Sequence, residues 1–155
     1  QGAKTDAKGA QRDWWEKADI VRFKALTSRL AEQYSRYEPI PGVQLNGRTT
    51  LSENIGDLGG LNVALEAYHL ALKGKPAPIL DGTTGDQRVF LSWAQTYREN
   101  IRDEALRAAL ASDPHSPSTF RVNGVVRNID AWYDAFGVKP GDRLYLDPVD
   151  RVRIW

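Results

Sequence analysis

The sequence of 155 residues contains no cysteine and no methionine. Without cysteine, the chain can form neither a disulfide framework nor a thiolate metal site, and cysteine usage indicates no particular redox compartment. Because methionine is absent and the first residue is Gln1, we expect this polypeptide to be a fragment or a processed chain.

Two further absences narrow the classes of function. No apolar run approaches the roughly 20 residues that a membrane-spanning helix needs, so we expect no membrane segment within this chain. The 21 basic residues almost balance the 20 acidic ones, and the resulting net charge of +1 provides no broad field that would attract a polyanion. We therefore expect no nucleic-acid partner.

The composition that is present indicates a folded protein. Apolar residues make up 41% of the chain and charged residues 26%, which is typical of globular proteins and not of disordered ones. A chain of this length predicts a single domain, here residues 1–155. Apolar residues at helical spacing predict helices over about 13–38, 52–74, 87–100, 102–111 and 129–136.

The connections between these helices carry weaker signals. An Asn-Gly pair within residues 43–50 predicts a tight turn in an irregular hairpin. Ser52 is placed to cap the second helix, and residues 120–126 are expected to be extended. The predicted fold class is therefore mainly α, with a small irregular β element.

Two carboxylates on the second predicted helix are the first candidates for a site. Glu53 and Asp57 are four residues apart, so they share a helix face, and both lie at the border of the apolar stripe. We expect them to be partly buried and to need a cation, which no residue four positions away supplies. The spacing alone is nevertheless more typical of a solvated helix face or a cap than of a site.

The sequence around these carboxylates is more specific than their spacing. Residues 52–61 read S-E-N-I-G-D-L-G-G-L, which resembles the E-N-x-x-D-x-G-G segment of the neprilysin family of zinc metallopeptidases. Residues 115–124 read H-S-P-S-T-F-R-V-N-G and are similar to the H-S-P-x-x-x-R-x-x-G segment of that family. Collinear similarity extends from the Gln1-Gly2 start to the ending at Trp155, and so covers essentially the whole chain.

The resemblance implies roles in catalysis for three residues. It implies that Glu53 is a zinc ligand. It also implies that Asp57 is a catalytic residue that supports this ligand without binding the metal itself. It also implies that His115 donates to the oxyanion that forms as metal-activated water attacks the peptide. Taken alone, a single loop histidine is more often a surface residue than a catalytic one.

The resemblance also implies residues that bind substrate. Arg121 would place a guanidinium against a backbone carbonyl of the peptide. Without the resemblance, a surface salt bridge is an equally good interpretation of this arginine. Thr96 and Tyr97 fall where the family lines its pocket for the residue after the scissile bond.

The sequence departs from the family pattern in two ways. The H-E-x-x-H motif is absent, so two zinc ligands and the general base are expected in a missing upstream part of the same polypeptide. We therefore expect this chain alone to be inactive and to bind zinc weakly or not at all. Animal members carry a cysteine in the stretch where Arg151 stands here, which favours a bacterial-type relative.

These observations predict the C-terminal part of a zinc endopeptidase that hydrolyses short peptides. The fold implied is the helical part of a thermolysin-like catalytic lobe, and the location implied is extracytoplasmic, meaning periplasmic, secreted or on the cell surface. The alternative is a non-catalytic helical module, derived from such a peptidase, that binds peptides or other proteins.

Overall fold

The computed structural model describes residues 2–154, so the resemblance at Gln1 and at Trp155 lies outside the described residues. A short 3-10 helix over Gly2–Lys4 opens this part, and the mainly α prediction is confirmed. Six α-helices follow: α1 (Lys17–Tyr34), α2 (Leu51–Leu72), α3 (Gly85–Thr96), α4 (Asp103–Ser112), α5 (Ser118–Val126) and α6 (Asp130–Phe136).

The β structure of the described residues consists of three isolated bridges, between Thr5 and Gln11, Ile40 and Val43, and Leu80 and Thr83. The hairpin predicted over 43–50 is wrong. The Asn46 side chain accepts hydrogen bonds from the backbone N–H groups of Arg48 and Thr49, each at 3.1 Å. This local turn, which asparagine favours, feeds the chain directly into α2.

Two other local predictions were wrong, at Ser52 and over 120–126. The N-cap of α2 is Thr50, and Ser52 lies inside the first helical turn, because the turn at Asn46 starts the helix earlier. Residues 120–126 are helical and belong to α5, which begins directly after Pro117. Two of its valines are buried in the core, and this packing overrides the strand preference of β-branched residues.

The longest helix, α2, lies at the centre of the molecule, where it packs against α1, α3 and α5. The leucines of its predicted stripe are buried with side chains from the surrounding helices and from the C-terminal tail. This core includes Leu30, Tyr34, Leu58, Leu61, Leu65, Phe90, Val125, Val126, Ile129 and Val152. Within residues 2–154, no helix is both long enough and apolar enough to cross a membrane.

The depth of α5 in the molecule is set by a glycine. A Cβ atom at Gly124 would lie 2.7 Å from the hydroxyl oxygen of Tyr34 and 2.8 Å from its ring, so only glycine allows this approach. Tyr34 is fully buried on α1, and its hydroxyl donates to the carbonyl of Phe120 at 3.3 Å. This contact fixes the position of α5, and Arg121, three residues before Gly124 on the same part of the helix surface, reaches Asp57 on α2.

Polar contacts attach the C-terminal tail to the helices. The buried Asn128 side chain accepts from the backbone N–H of Val152 at 2.8 Å. Arg151 donates to Asp130 at 2.8 Å, and its guanidinium lies 3.5 Å from the centre of the Tyr133 ring. Arg151, which stands in the stretch where the sequence pattern of animal members has a cysteine, therefore holds the tail by an ion pair and a cation–π contact.

Candidate active site

Four of the predicted site residues meet at one end of α2. Glu53 and Asp57 project from its first two turns, His115 from the loop between α4 and α5, and Arg121 from the first turns of α5. In the sequence, the whole of α3 and α4 separates the two carboxylates from His115 and Arg121. Tertiary packing therefore assembles this group.

Glu53 and His115 form the open part of the group. The His115 Nε2 atom lies 3.0 Å from Glu53 Oε2, and the two side chains are 44% and 39% exposed. A carboxylate at such an accessible position has the chemistry of a zinc ligand. Among residues 2–154, however, no three His, Cys, Asp or Glu side chains are grouped so that they could hold a metal ion. The described residues thus suit one ligand position of a zinc site, and not a complete set.

Asp113 orients the imidazole of His115. Its Oδ1 atom lies 2.6 Å from His115 Nδ1 and accepts the backbone N–H of the same residue at 2.8 Å. These hydrogen bonds, first from the backbone and then from the side chain, lower the pKa of Asp113. The sequence interpretation missed this aspartate, although a carboxylate two residues before a loop histidine is a recognised turn former.

Asp57 and Arg121 form the buried part of the group. Arg121 donates from Nε to Asp57 Oδ2 and from Nη2 to Asp57 Oδ1, each at 2.6 Å. The Asp57 side chain is only 8% exposed. The hydrogen bond to Asp57 is the main cause of the raised pKa of Arg121. The cation that the two carboxylates were expected to need is therefore this arginine, whose Nη2 also lies 4.0 Å from Glu53 Oε2.

The structure brings Tyr97 to this group. Thr96 precedes Tyr97 in the chain, and its hydroxyl is bonded within its own helix. The guanidinium of Arg121 lies over the Tyr97 ring, 4.8 Å from its centre. Burial and the nearby Asp57 charge raise the pKa of Tyr97. Thr96 is exposed, and its hydroxyl donates to the Ser92 carbonyl of its own helix at 3.1 Å.

A cavity of about 370 Å³ opens beside His115, Arg121 and Tyr97. Its other wall belongs to α4 and to the segment before that helix. That wall is largely apolar and includes Ile101, Leu106, Ala109 and Leu110. The cavity therefore combines donors at one end with an apolar surface at the other, which is the usual character of a small ligand pocket.

A buried hydrogen-bond chain lies directly behind the open part of the group. It links Thr50, the N-cap of α2, and Asn54 in the first turn of that helix to Ser116 on the loop of His115. The sequence interpretation gave no role to these residues, because nothing in their local spacing predicts that they meet.

Comparison with known proteins gives a consistent result. A family model described as peptidase family M13 matches residues 1–152. Neprilysin-3 of Drosophila melanogaster is 36% identical over 159 residues, which span 100% of this chain and 20% of that protein. Endothelin-converting enzyme 1 of Homo sapiens is 38% identical over 159 residues, again 100% of this chain and 20% of that protein. The chain thus spans about a fifth of the length of these relatives.

Two solved bacterial structures are also similar. A crystal structure of Mycobacterium tuberculosis zinc metalloprotease Zmp1 in complex with an inhibitor has a TM-score of 0.96 and 53% identity, and the match covers 100% of this chain and 24% of Zmp1. PepO from Lactobacillus rhamnosis has a TM-score of 0.82 and 37% identity, covering 99% of this chain and 23% of PepO. The identity with Zmp1 exceeds that with the animal proteins, which confirms the expectation of a bacterial-type relative.

Proposed function

We propose that this chain, which belongs to peptidase family M13, supplies part of the active site of a zinc endopeptidase that hydrolyses short peptides. The observation that carries the proposal is that Glu53 meets His115 and Arg121, two residues that line one open cavity, although α3 and α4 separate Glu53 from both in the sequence. A buried core arrangement of the same residues would not leave Glu53 and His115 accessible to solvent.

The proposed role of Glu53 is to be one protein ligand of zinc. Its carboxylate is accessible and lies at the edge of the group. A catalytic zinc site takes three protein ligands, so we propose that the other two, and a general base, come from a part of the polypeptide outside this chain. Zinc, when bound, supplies Lewis acidity and activates water for hydrolysis.

The surface of α2 supports a partner of this kind. A Cβ atom at Gly56 or Gly60 would have no atom within 4 Å, and both glycines are exposed. Val63 and Leu70 on the same helix are 69% and 68% exposed. A helix with apolar residues on all sides is typical of a protein interior. We propose that the remainder of the polypeptide packs against this face of α2.

The proposed role of His115 is to donate to the carbonyl oxygen as negative charge develops on it. A carboxylate only accepts, so the contacts of both ring nitrogens with Asp113 and Glu53 are hydrogen bonds when the ring is the imidazolium. With Asp113 holding Nδ1, the Nε2 N–H is fixed in direction and can be offered to a substrate. A donor aligned before the reaction stabilises the transition state without reorganisation.

The proposed role of Arg121 is to bind a backbone carbonyl of the peptide. Asp57 holds Nε and Nη2, whereas Nη1 makes no hydrogen bond within the described residues. The apolar cavity beside Tyr97 would accept the side chain that follows the scissile bond. On the strength of the resemblance, Thr96 is proposed to line the same pocket, and the protein is proposed to act outside the cytoplasm.

The complete polypeptide that contains this chain provides the test. It is expected to hydrolyse short peptides with a hydrophobic residue after the scissile bond, and Glu53→Ala is expected to abolish both zinc retention and hydrolysis. The matched control is Glu32→Ala on the exposed surface of α1, which should change neither. Full zinc occupancy in Glu53→Ala would contradict the ligand assignment. Peptide binding without hydrolysis by the zinc-loaded protein would support the non-catalytic module instead.

A further inference from the structure

A buried chain of polar side chains links the first turn of α2 to the loop that carries His115. The Asn54 Nδ2 atom donates to Thr50 Oγ1 at 3.0 Å, and the Ser116 hydroxyl donates to Asn54 Oδ1 at 2.7 Å. All three residues are almost completely buried. Such bonds hold their partners firmly, because neither partner can exchange the bond for one with water.

Each of the two bonded residues has a site residue as its immediate neighbour. Glu53 precedes Asn54 on α2, and His115 precedes Ser116 on the loop. Two contacts therefore join the same two segments side by side, one buried and one open. The open contact, between Glu53 and His115, is exposed to solvent, and exposed polar contacts of this kind contribute little to holding a structure together.

The proposed reaction requires that Glu53 and His115 be free of each other. Glu53 would turn its carboxylate to zinc, and His115 would offer Nε2 to the substrate, so their mutual contact cannot hold the loop in place during catalysis. Asp113 orients the imidazole but belongs to the same loop, and so it cannot fix that loop relative to α2. The bond between Asn54 and Ser116 does so without involving either site residue.

We infer that Asn54 and Ser116 are positioning residues, whose buried hydrogen bond sets the distance between the His115 imidazole and the Glu53 carboxylate. The inference rests on the proposed function, because Asn54 and Ser116 matter only if Glu53 and His115 have the roles proposed above. Neither residue is proposed to touch the reacting atoms or the metal, although Ser116 borders the cavity beside His115. Their effect on the reaction passes through the placement of the His115 loop.

Substitution of Ser116 in the complete, zinc-loaded polypeptide tests the inference. Ser116→Ala is expected to lower kcat roughly 10- to 100-fold, since small displacements of a catalytic group have effects of that size, while KM and zinc content change little. Ser116→Cys, which keeps the side-chain volume but donates more weakly, should fall between wild type and Ser116→Ala. The matched control is Ser28→Ala on α1, because the Ser28 hydroxyl makes no hydrogen bond within the described residues and Ser28 does not line the cavity beside His115.

A second background separates positioning from general stabilisation. His115→Ala is expected to lower kcat roughly 100- to 1000-fold, as the loss of an oxyanion donor does. In that background Ser116→Ala should cost nothing further in kcat, because no imidazole remains to be positioned. A purely structural role would repeat the same loss in both backgrounds.

The outcomes distinguish this inference from the proposed function. Equal losses in the two backgrounds, or wild-type kcat in a folded Ser116→Ala protein, would overturn the positioning role and leave the proposed function standing. Wild-type kcat in His115→Ala would overturn the proposed role of His115 and the positioning role with it. If Ser116→Ala does not fold, Ser116→Cys is compared in the same two backgrounds and decides by the same criteria.

Discussion

At the scale of single residues, the pairing of Asp57 with Arg121 explains how a carboxylate is tolerated inside the molecule. Asp57 is buried at the second turn of α2, where its helix neighbours offer no positive charge. Two charge-assisted hydrogen bonds at 2.6 Å satisfy both carboxylate oxygens at once. The bidentate geometry also fixes the plane of the guanidinium, and with it the direction of Nη1.

Removal of Arg121 is therefore expected to affect stability and substrate binding together. Arg121→Ala leaves the Asp57 charge buried without a partner and should destabilise the complete protein by about 3 kcal/mol, measured by urea unfolding. It should also raise KM at least as much as it lowers kcat, because a bond to a ground-state carbonyl stabilises substrate and transition state alike.

The double variant Asp57→Asn with Arg121→Ala provides the control for this prediction. It removes the unpaired charge, so it should recover part of the lost stability while KM stays high. An unchanged KM in a folded Arg121→Ala protein would show that this arginine does not bind substrate. Equal stabilities of the single and double variants would contradict the account of the buried charge.

Sequence reasoning reached part of this arrangement. The four-residue spacing predicted that Glu53 and Asp57 share a face and need a cation, because helix geometry is local. It could not identify the cation, since Arg121 lies 64 residues from Asp57 and only tertiary packing brings them together. The same limit hid the bond between Asn54 and Ser116, which spans 62 residues.

At the scale of elements, α5 connects the core to the site. Gly124 lies against Tyr34, and Arg121, three residues earlier and so on the same part of the helix surface, reaches Asp57. The sequence suggested an extended segment here because phenylalanine and valines favour strands. A strand forms only where a neighbouring strand is available to pair with it. Within residues 2–154, the segment 120–126 has no such neighbour and packs as a helix against the core instead.

The glycine of α5 leads to a second prediction. Gly124→Ala would place a Cβ atom 2.7 Å from the Tyr34 hydroxyl, so the protein should lose about 1 to 3 kcal/mol of stability by overpacking. Because α5 must move outward, the displacement of Arg121 should also raise KM at least as much as it lowers kcat. Thermal melting and peptide hydrolysis of the complete protein measure the two effects.

Shortening the side chain that the new methyl group would meet gives the matched comparison. Tyr34→Phe removes the hydroxyl oxygen and should relieve part of the clash, so the double variant with Gly124→Ala should be more stable than the sum of the single losses predicts. Strict additivity would show that the Tyr34 hydroxyl does not set the depth of α5.

At the scale of the whole molecule, residues 2–154 form a common core but group no three His, Cys, Asp or Glu side chains that could hold a metal ion. Buried residues of α1, α2, α3 and α5 pack together, whereas the open face of α2 and the accessible carboxylate of Glu53 are the features that we propose a partner completes. The sequence led us to expect this division, because the segment with Glu53 and the segment with His115 are present and a two-histidine motif is not, and the upstream partner stays a prediction. The sequence could not predict which surface would be left open, since that depends on how the helices face one another.

The last prediction follows from this division and concerns zinc. A single exposed carboxylate cannot replace the three protein ligands of a catalytic site, so this chain alone should retain less than one zinc ion after dialysis, whereas the complete polypeptide should retain one. Metal analysis of both proteins, each with its Glu53→Ala variant, measures the contribution of this residue. The variant should abolish retention by the complete polypeptide and leave the chain alone unchanged. One tightly held ion in the chain alone, lost in Glu53→Ala, would show that these residues build a full site and that no further ligands are needed.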